Sequence, residues 1–207
     1  MIFSLLLVFF YSAVVVGYVA YCWETYLNRS RPDRVVYYSS NLKEQGKVLE
    51  AIIKKYITAR GEATADYALV EPGAGFAHMA RFLAQKYTWR EIIAVEIGRV
   101  VLLIGRLLSL LRQDHITFIY ADIFSYTVPQ KSLVYCYLTS AIITRLYQEG
   151  KLNGQLVVCL TFTIEGVEPT EEIELKSWQK RIQVYDFREA SPALKAASPK
   201  QRRRLKQ

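Results

Sequence analysis

The sequence predicts an α/β fold: a parallel sheet covered by helices on both faces, with an antiparallel hairpin at its end. Three observations predict it. The run 67–70 suits a buried strand. It meets an acid at Glu71, then two glycines spaced G-x-G at Gly73 and Gly75, then a helix-compatible run over 76–87. Strand-like and helix-like runs then alternate as far as residue 162, which requires parallel pairing with crossover helices. Finally, Glu71, Glu96 and Asp122 stand at the ends of three successive strand-like runs. In a parallel sheet those ends line one edge, where ligands bind.

Residues 2–23 carry no charge across 22 positions. A helix of that length spans about 33 Å, close to the hydrocarbon thickness of a bilayer. Tyr18, Tyr21, Trp23 and Tyr26 gather at one end as interfacial aromatics do, and Arg29, Arg31 and Arg34 follow. The positive-inside rule puts that end on the cytoplasmic (or matrix) side and the N-terminus outside. A cleaved signal peptide would need a basic start and a small-x-small site. Met1 to Ser4 has no basic side chain, and the run ends on Tyr21, Cys22 and Trp23. The expected organisation is a single-pass membrane anchor over 1–25, a linker over 26–42, a domain over 43–190 and a basic tail over 191–207. The lipid bilayer is the expected partner of 2–23.

In the domain, 44–56 places Val48, Leu49, Ile52, Ile53 and Tyr56 at helical spacing. That amphipathic helix covers the sheet before the first strand. After the glycine turn, a strand over 92–95 ends at Glu96. A helix over 99–112 is apolar on a broad face formed by Val100, Leu103, Ile104, Leu107 and Leu111. A strand over 116–120 leads to Asp122. A strand over 133–137 precedes a helix over 140–148, and Asn153-Gly154 turns the chain into a strand over 155–162. After Gly166 the runs 171–176 and 181–187 read as two strands joined around Trp178, giving seven strands in all.

Composition narrows the function. Net charge is +8, but six basic residues and no acids lie in 192–207, leaving 21 basic against 19 acidic elsewhere. The near-neutral domain lacks the basic face of a nucleic-acid binder, so no nucleic-acid partner is expected. The cysteines, Cys22, Cys136 and Cys159, are too widely spaced for a disulfide framework or zinc site. His78 and His115 have no ligand-spaced partner, so no metal is expected.

Chemistry gathers around the glycine turn. A nicotinamide-type fingerprint wants a third glycine three residues after the second, and His78 stands there. Glu71 is a poor neighbour for a pyrophosphate and a good acceptor for an ammonium. The loop therefore suits a ligand with positive character and no phosphates, such as S-adenosylmethionine. Glu96 follows Gly73 by 23 residues, near the ~20 expected of an acid that accepts ribose hydroxyls. Asp122 is placed to accept from an adenine amino group. Tyr137, after the fourth strand, is the candidate for lining the transfer site.

The stretch Glu71-Pro72-Gly73-Ala74-Gly75 resembles the first motif of class I S-adenosylmethionine-dependent methyltransferases. Ala94-Val95-Glu96-Ile97 resembles their second motif and Tyr120-Ala121-Asp122-Ile123-Phe124 their third. The resemblance implies a Rossmann-like seven-strand methyltransferase sheet. It also implies S-adenosyl-L-methionine as cofactor, held by Glu71, Gly73, Ala74, Gly75, Glu96, Ile97, Asp122 and Ile123. With the anchor, Tyr135-Cys136-Tyr137-Leu138 and the run 157–169, the chain looks more narrowly like the membrane-anchored protein-lysine methyltransferases. Those act on the ATP synthase c-subunit and the adenine nucleotide translocase. That likeness implies a lysine on a membrane protein as substrate. No Asn/Asp-Pro-Pro-aromatic motif follows the fourth strand, unlike methyltransferases that modify adenine or glutamine. Two other readings are a non-catalytic, membrane-tethered scaffold and an NAD-type oxidoreductase.

Overall fold

A computed structural model of the chain describes residues 42–176 and 181–188, together with Ser12, Val16, Gly17 and Val19. The expected anchor, linker and basic tail otherwise lie outside the described residues, as does the turn around Trp178. Among the described residues no helix is long and apolar enough to cross a membrane.

Helix α1 (Leu42–Tyr56) buries Leu49, Ile52, Ile53 and Tyr56 on one side. Two short 3-10 turns lead into β1 (Ala68–Pro72). The alternation then runs α2 (His78–Ala84), β2 (Glu91–Glu96), α3 (Arg99–Arg112), β3 (Thr117–Tyr120), β4 (Ser132–Cys136), α4 (Ser140–Gln148) and β5 (Leu156–Leu160). The hairpin β6 (Glu171–Glu174) and β7 (Arg181–Asp186) follows. One seven-stranded sheet results, in the order β3-β2-β1-β4-β5-β7-β6. Pairs among β1 to β5 are parallel, whereas β7 is antiparallel to both β5 and β6.

The two faces form separate cores. Leu69, Leu133, Tyr135 and Val158 meet α1, α2 and the Leu102 side of α3. Val70, Val134, Cys136 and Val157 meet Ile142, Ile143 and Leu146 of α4. Alternate residues of each central strand thus serve opposite faces. That is why these strands read as continuous apolar runs and not as an alternating pattern. The order jumps between β1 and β4, so the C-terminal end of β1, with the glycine turn that follows it, lies at the switch point where such sheets open onto a crevice.

Two expectations need correction. The helix after the glycine turn begins at His78, not at residue 76, because Ala77 adopts a left-handed conformation (φ 55°) and closes a turn from its N–H to the Ala74 carbonyl. The broad apolar face named on α3 is not the face against the sheet. Val101, Leu102, Gly105 and Ser109 are buried, while Leu103, Leu107, Leu110 and Leu111 are exposed. Gly105 sits at the middle of the inner face because the Phe118 ring lies where a side chain at 105 would start: a Cβ there would meet it at 2.4 Å.

Candidate functional site

Everything at the crevice starts from how the glycine turn is tied down. Gly73 and Ala74 both donate to the Val95 carbonyl of β2, at 2.9 and 3.1 Å. Gly73 sits at φ +65°, and a Cβ there would meet Leu138 Cδ2 at 2.5 Å. The left-handed turn geometry therefore favours glycine at this position, with the Leu138 methyl close beside it. Pro72 costs no ladder bond: β1 pairs with β4 only as far as Val70. Ala74 is buried beneath the turn.

Glu96 is the pivot. It is 1% exposed. One carboxylate oxygen accepts from Gly75 N at 2.8 Å, the other from Gly98 N at 2.7 Å. A single side chain thus joins the glycine turn to the start of α3. A carboxylate offers about four acceptor positions, which is why such a group can hold backbone amides and still take a diol. Ile97, between Glu96 and Gly98, is half-buried.

Glu71 lies on the same face, buried, and accepts from Ala80 N in α2 at 2.9 Å. Burial pushes its carboxyl up from the usual 4.5 to about 8, and Glu96 adds to the rise. The Ala80 amide and Arg81 act in the opposite direction. A raised carboxyl favours the folded state below the unfolded value of 4.5. That advantage is lost as pH rises through about 8. Glu71→Gln keeps an acceptor for Ala80 and removes the titration. The variant should gain on wild type by a few kcal/mol, in order of magnitude, between about pH 5 and about pH 9. Urea unfolding across that range checks it. A constant difference between the two proteins would show that Glu71 ionises normally.

Asp122 stands on the turn that follows β3, next to the second-strand acid. Ala121 N donates to the Glu96 carbonyl at 3.3 Å, so the turn after β3 abuts the second-strand acid. Asp122 itself is exposed, and its carboxylate accepts from Phe124 N at 3.0 Å, a local turn cap. Ile123 is half-buried and packs toward the α4 side of the sheet. The structure therefore brings Glu71, Gly73, Ala74, Gly75, Glu96 and Ile97 together. It leaves Asp122 and Ile123 on an adjoining turn. Tyr137 falls just beyond β4, half-buried on the Glu71 face, its ring 6.2 Å from that of Phe162.

Sequence reasoning missed two groups. Arg81, 3% exposed, donates to Asp114 at 2.6 Å, to the Gly105 carbonyl at 2.8 Å and to the Phe76 carbonyl just past the glycine turn. Asp114 also accepts from Ser109. The pair lies 33 residues apart, and only the contrast of one arginine among Met79, Ala80 and Leu83 hinted at it. Gln45 of α1 is fully buried and accepts from Tyr135 OH at 3.4 Å. Burial, then the nearby Glu71, raises the Tyr135 phenol well above its ordinary value. Among the described residues no three His, Cys, Asp or Glu side chains gather as a metal site would.

No protein-family model matches the sequence, and no curated protein matches it. Solved structures do. An RNA methyltransferase from Salinibacter ruber, in complex with S-adenosyl-L-homocysteine, superposes with a TM-score of 0.59 at 16% identity. The match covers 75% of this chain and 97% of that one. The fold is that of the class I methyltransferases. Magnesium protoporphyrin IX methyltransferase from Synechocystis PCC 6803, with bound S-adenosylmethionine, matches at 0.52 and 10% identity over 80% and 94% of the two chains. The methyltransferase sheet in this chain therefore stands at identities far too low to carry a substrate.

Proposed function

We propose that this chain binds S-adenosylmethionine in the crevice at the ends of β1 and β2 and transfers its methyl group to a lysine of a membrane protein. The carrying observation is Glu96. A buried carboxylate at the end of β2, held by the amides of Gly75 and Gly98, has acceptor positions left that suit a ribose diol. The rest of the donor set fits the same ligand. Acids line the turn, so it favours a cationic ligand over a pyrophosphate. Gly73 and Gly75 keep the backbone bare. Glu71, with its carboxyl near 8, can release its proton when an ammonium arrives beside it.

The cofactor supplies an electrophilic methyl group on a sulfonium. The chain's task is then to align a nucleophile in line with it and exclude water, and positioning alone can contribute much of the rate. A lysine must arrive neutral. Desolvation and a nearby positive charge both lower its pKa, so a dry crevice prepares it. Tyr137, at the end of β4 on the Glu71 face, is the residue we assign to that entrance.

Three features support a membrane substrate. The run 2–23 is uncharged, the remainder of the domain is near neutral, and the likeness to membrane-anchored lysine methyltransferases extends through 157–169. Tethering would raise the effective concentration of a substrate in the same bilayer. The test is to incubate the full-length protein with methyl-labelled S-adenosylmethionine and host membranes. Label should appear in a protease-sensitive band and be recovered as methyl-lysine. Label in RNA, the substrate class of the Salinibacter neighbour, or in a small molecule would overturn the lysine assignment and leave the cofactor standing.

A further inference from the structure

The outer face of α3 has no covering among the described residues. Leu103, Leu107, Leu110 and Leu111 are 66%, 55%, 75% and 72% exposed. Their spacing of four, three and one places them in a single stripe along a 14-residue helix about 21 Å long. Arg99, Arg106 and Arg112 are exposed on the same helix, Arg99 donating to the Tyr120 hydroxyl at 3.1 Å and Arg106 to the Phe118 carbonyl at 2.8 Å, and the helix carries no acid. Beside it Tyr120 of β3 is 49% exposed, with the Arg99 guanidinium 5.3 Å from its ring centroid. Scattered exposed leucines need no explanation; a contiguous stripe of four on one helix does.

We infer that α3 lies flat on an anionic membrane surface, its leucine stripe in the headgroup–acyl boundary and the positive charge of the helix facing the lipid phosphates. The inference rests on the membrane reading of residues 2–23. Leucines on one side and arginines without acids make the pattern of a helix that lies in a bilayer interface. Tyr120 adds the amphipathic ring common at that depth. Charge selects this occupant over a second copy. A two-fold contact through α3 would bring its arginines together with no carboxylate on the helix to meet them. The uncharged run 2–23 and the arginines at 29, 31 and 34 belong to the same chain, so the domain is held where such a surface is available. Because α3 begins directly after Gly98, this contact would also bring the glycine turn and Glu96 close to the bilayer.

The test uses the full-length protein with Cys22→Ser, since Cys136 and Cys159 are buried and will not take a label. A spin label is placed at Leu107→Cys, or at Glu174→Cys on the opposite edge of the sheet as reference. Each protein is reconstituted into vesicles with or without phosphatidylglycerol. Collisions with oxygen and with a water-soluble nickel chelate report depth. The expected result is a several-fold higher oxygen-to-nickel ratio at 107 than at 174, rising further with phosphatidylglycerol. A water-like ratio at 107 in protein that floats with the vesicles would overturn the inference and leave the anchor intact. So would an immobilised label shielded from both reagents, which would mean that a second copy or the chain's own N-terminal segment covers α3. Protein that does not float at all would remove both readings.

Discussion

Glu96→Ala is expected to lower affinity for S-adenosylmethionine by about 100-fold or more, and Glu96→Gln to lower it nearly as far. Two hydroxyl hydrogen bonds to a carboxylate contribute ~1.5–3 kcal/mol each, and every 1.4 kcal/mol is a factor of about ten. The fold suffers as well. Gly75 N and Gly98 N both end on this side chain, at 2.8 and 2.7 Å, and alanine leaves both without it. Glutamine is no rescue, because its amide nitrogen would point one donor at another. Aspartate is the informative conservative change: it keeps the charge but cannot reach both amides from a shorter stem. Calorimetry with S-adenosylmethionine, paired with thermal unfolding of the same samples, separates binding from folding. Wild-type affinity in the alanine variant would remove Glu96 from the cofactor site.

That residue was legible in the sequence, and the reason is local. A strand that ends in an acid and a tight turn that needs glycine at φ +65° both leave marks within a few positions. The order of elements was legible for the same reason, since each strand and helix shows its own period. What could not be read was which face of a uniformly apolar helix turns inward. In α3 the greasiest stripe points out. The inner face was settled by Phe118, 13 residues beyond Gly105, and by the need of Ser109 to reach Asp114. Hydrophobic periodicity ranks faces by apolarity, whereas packing ranks them by fit. Asp122 shows a second limit. Its place at a strand end was readable, but the cap that its carboxylate makes on the amide of Phe124 two residues on was not. Ala77 shows a third. It takes a left-handed conformation without being glycine, and so the helix starts later than its pattern suggests.

Arg81→Met should cost the fold about 3–5 kcal/mol, the range for breaking one side of a buried ion pair. Arg81 and Asp114 have side chains only 4% and 8% exposed. Methionine fills much of the same space but leaves the Asp114 charge in a dry site with Ser109 alone. It also releases the carbonyls of Phe76 and Gly105, which Arg81 holds from two different segments. Asp114→Asn should be destabilising for the mirror-image reason. The double variant should lose clearly less than the two singles together, because each single leaves an unpaired charge behind and the double leaves none. Urea unfolding of the four proteins completes the cycle, and simple additivity would mean that the pair does not act as a unit. The cycle also bears on the site. Phe76 follows Gly75 directly, so Arg81 fixes the far side of the turn whose near side Glu96 holds. Backbone amides at 75–77 should then exchange faster in Arg81→Met by more than the global loss of stability explains. Exchange that changes only in step with global unfolding would show that Arg81 stabilises the domain without positioning the turn.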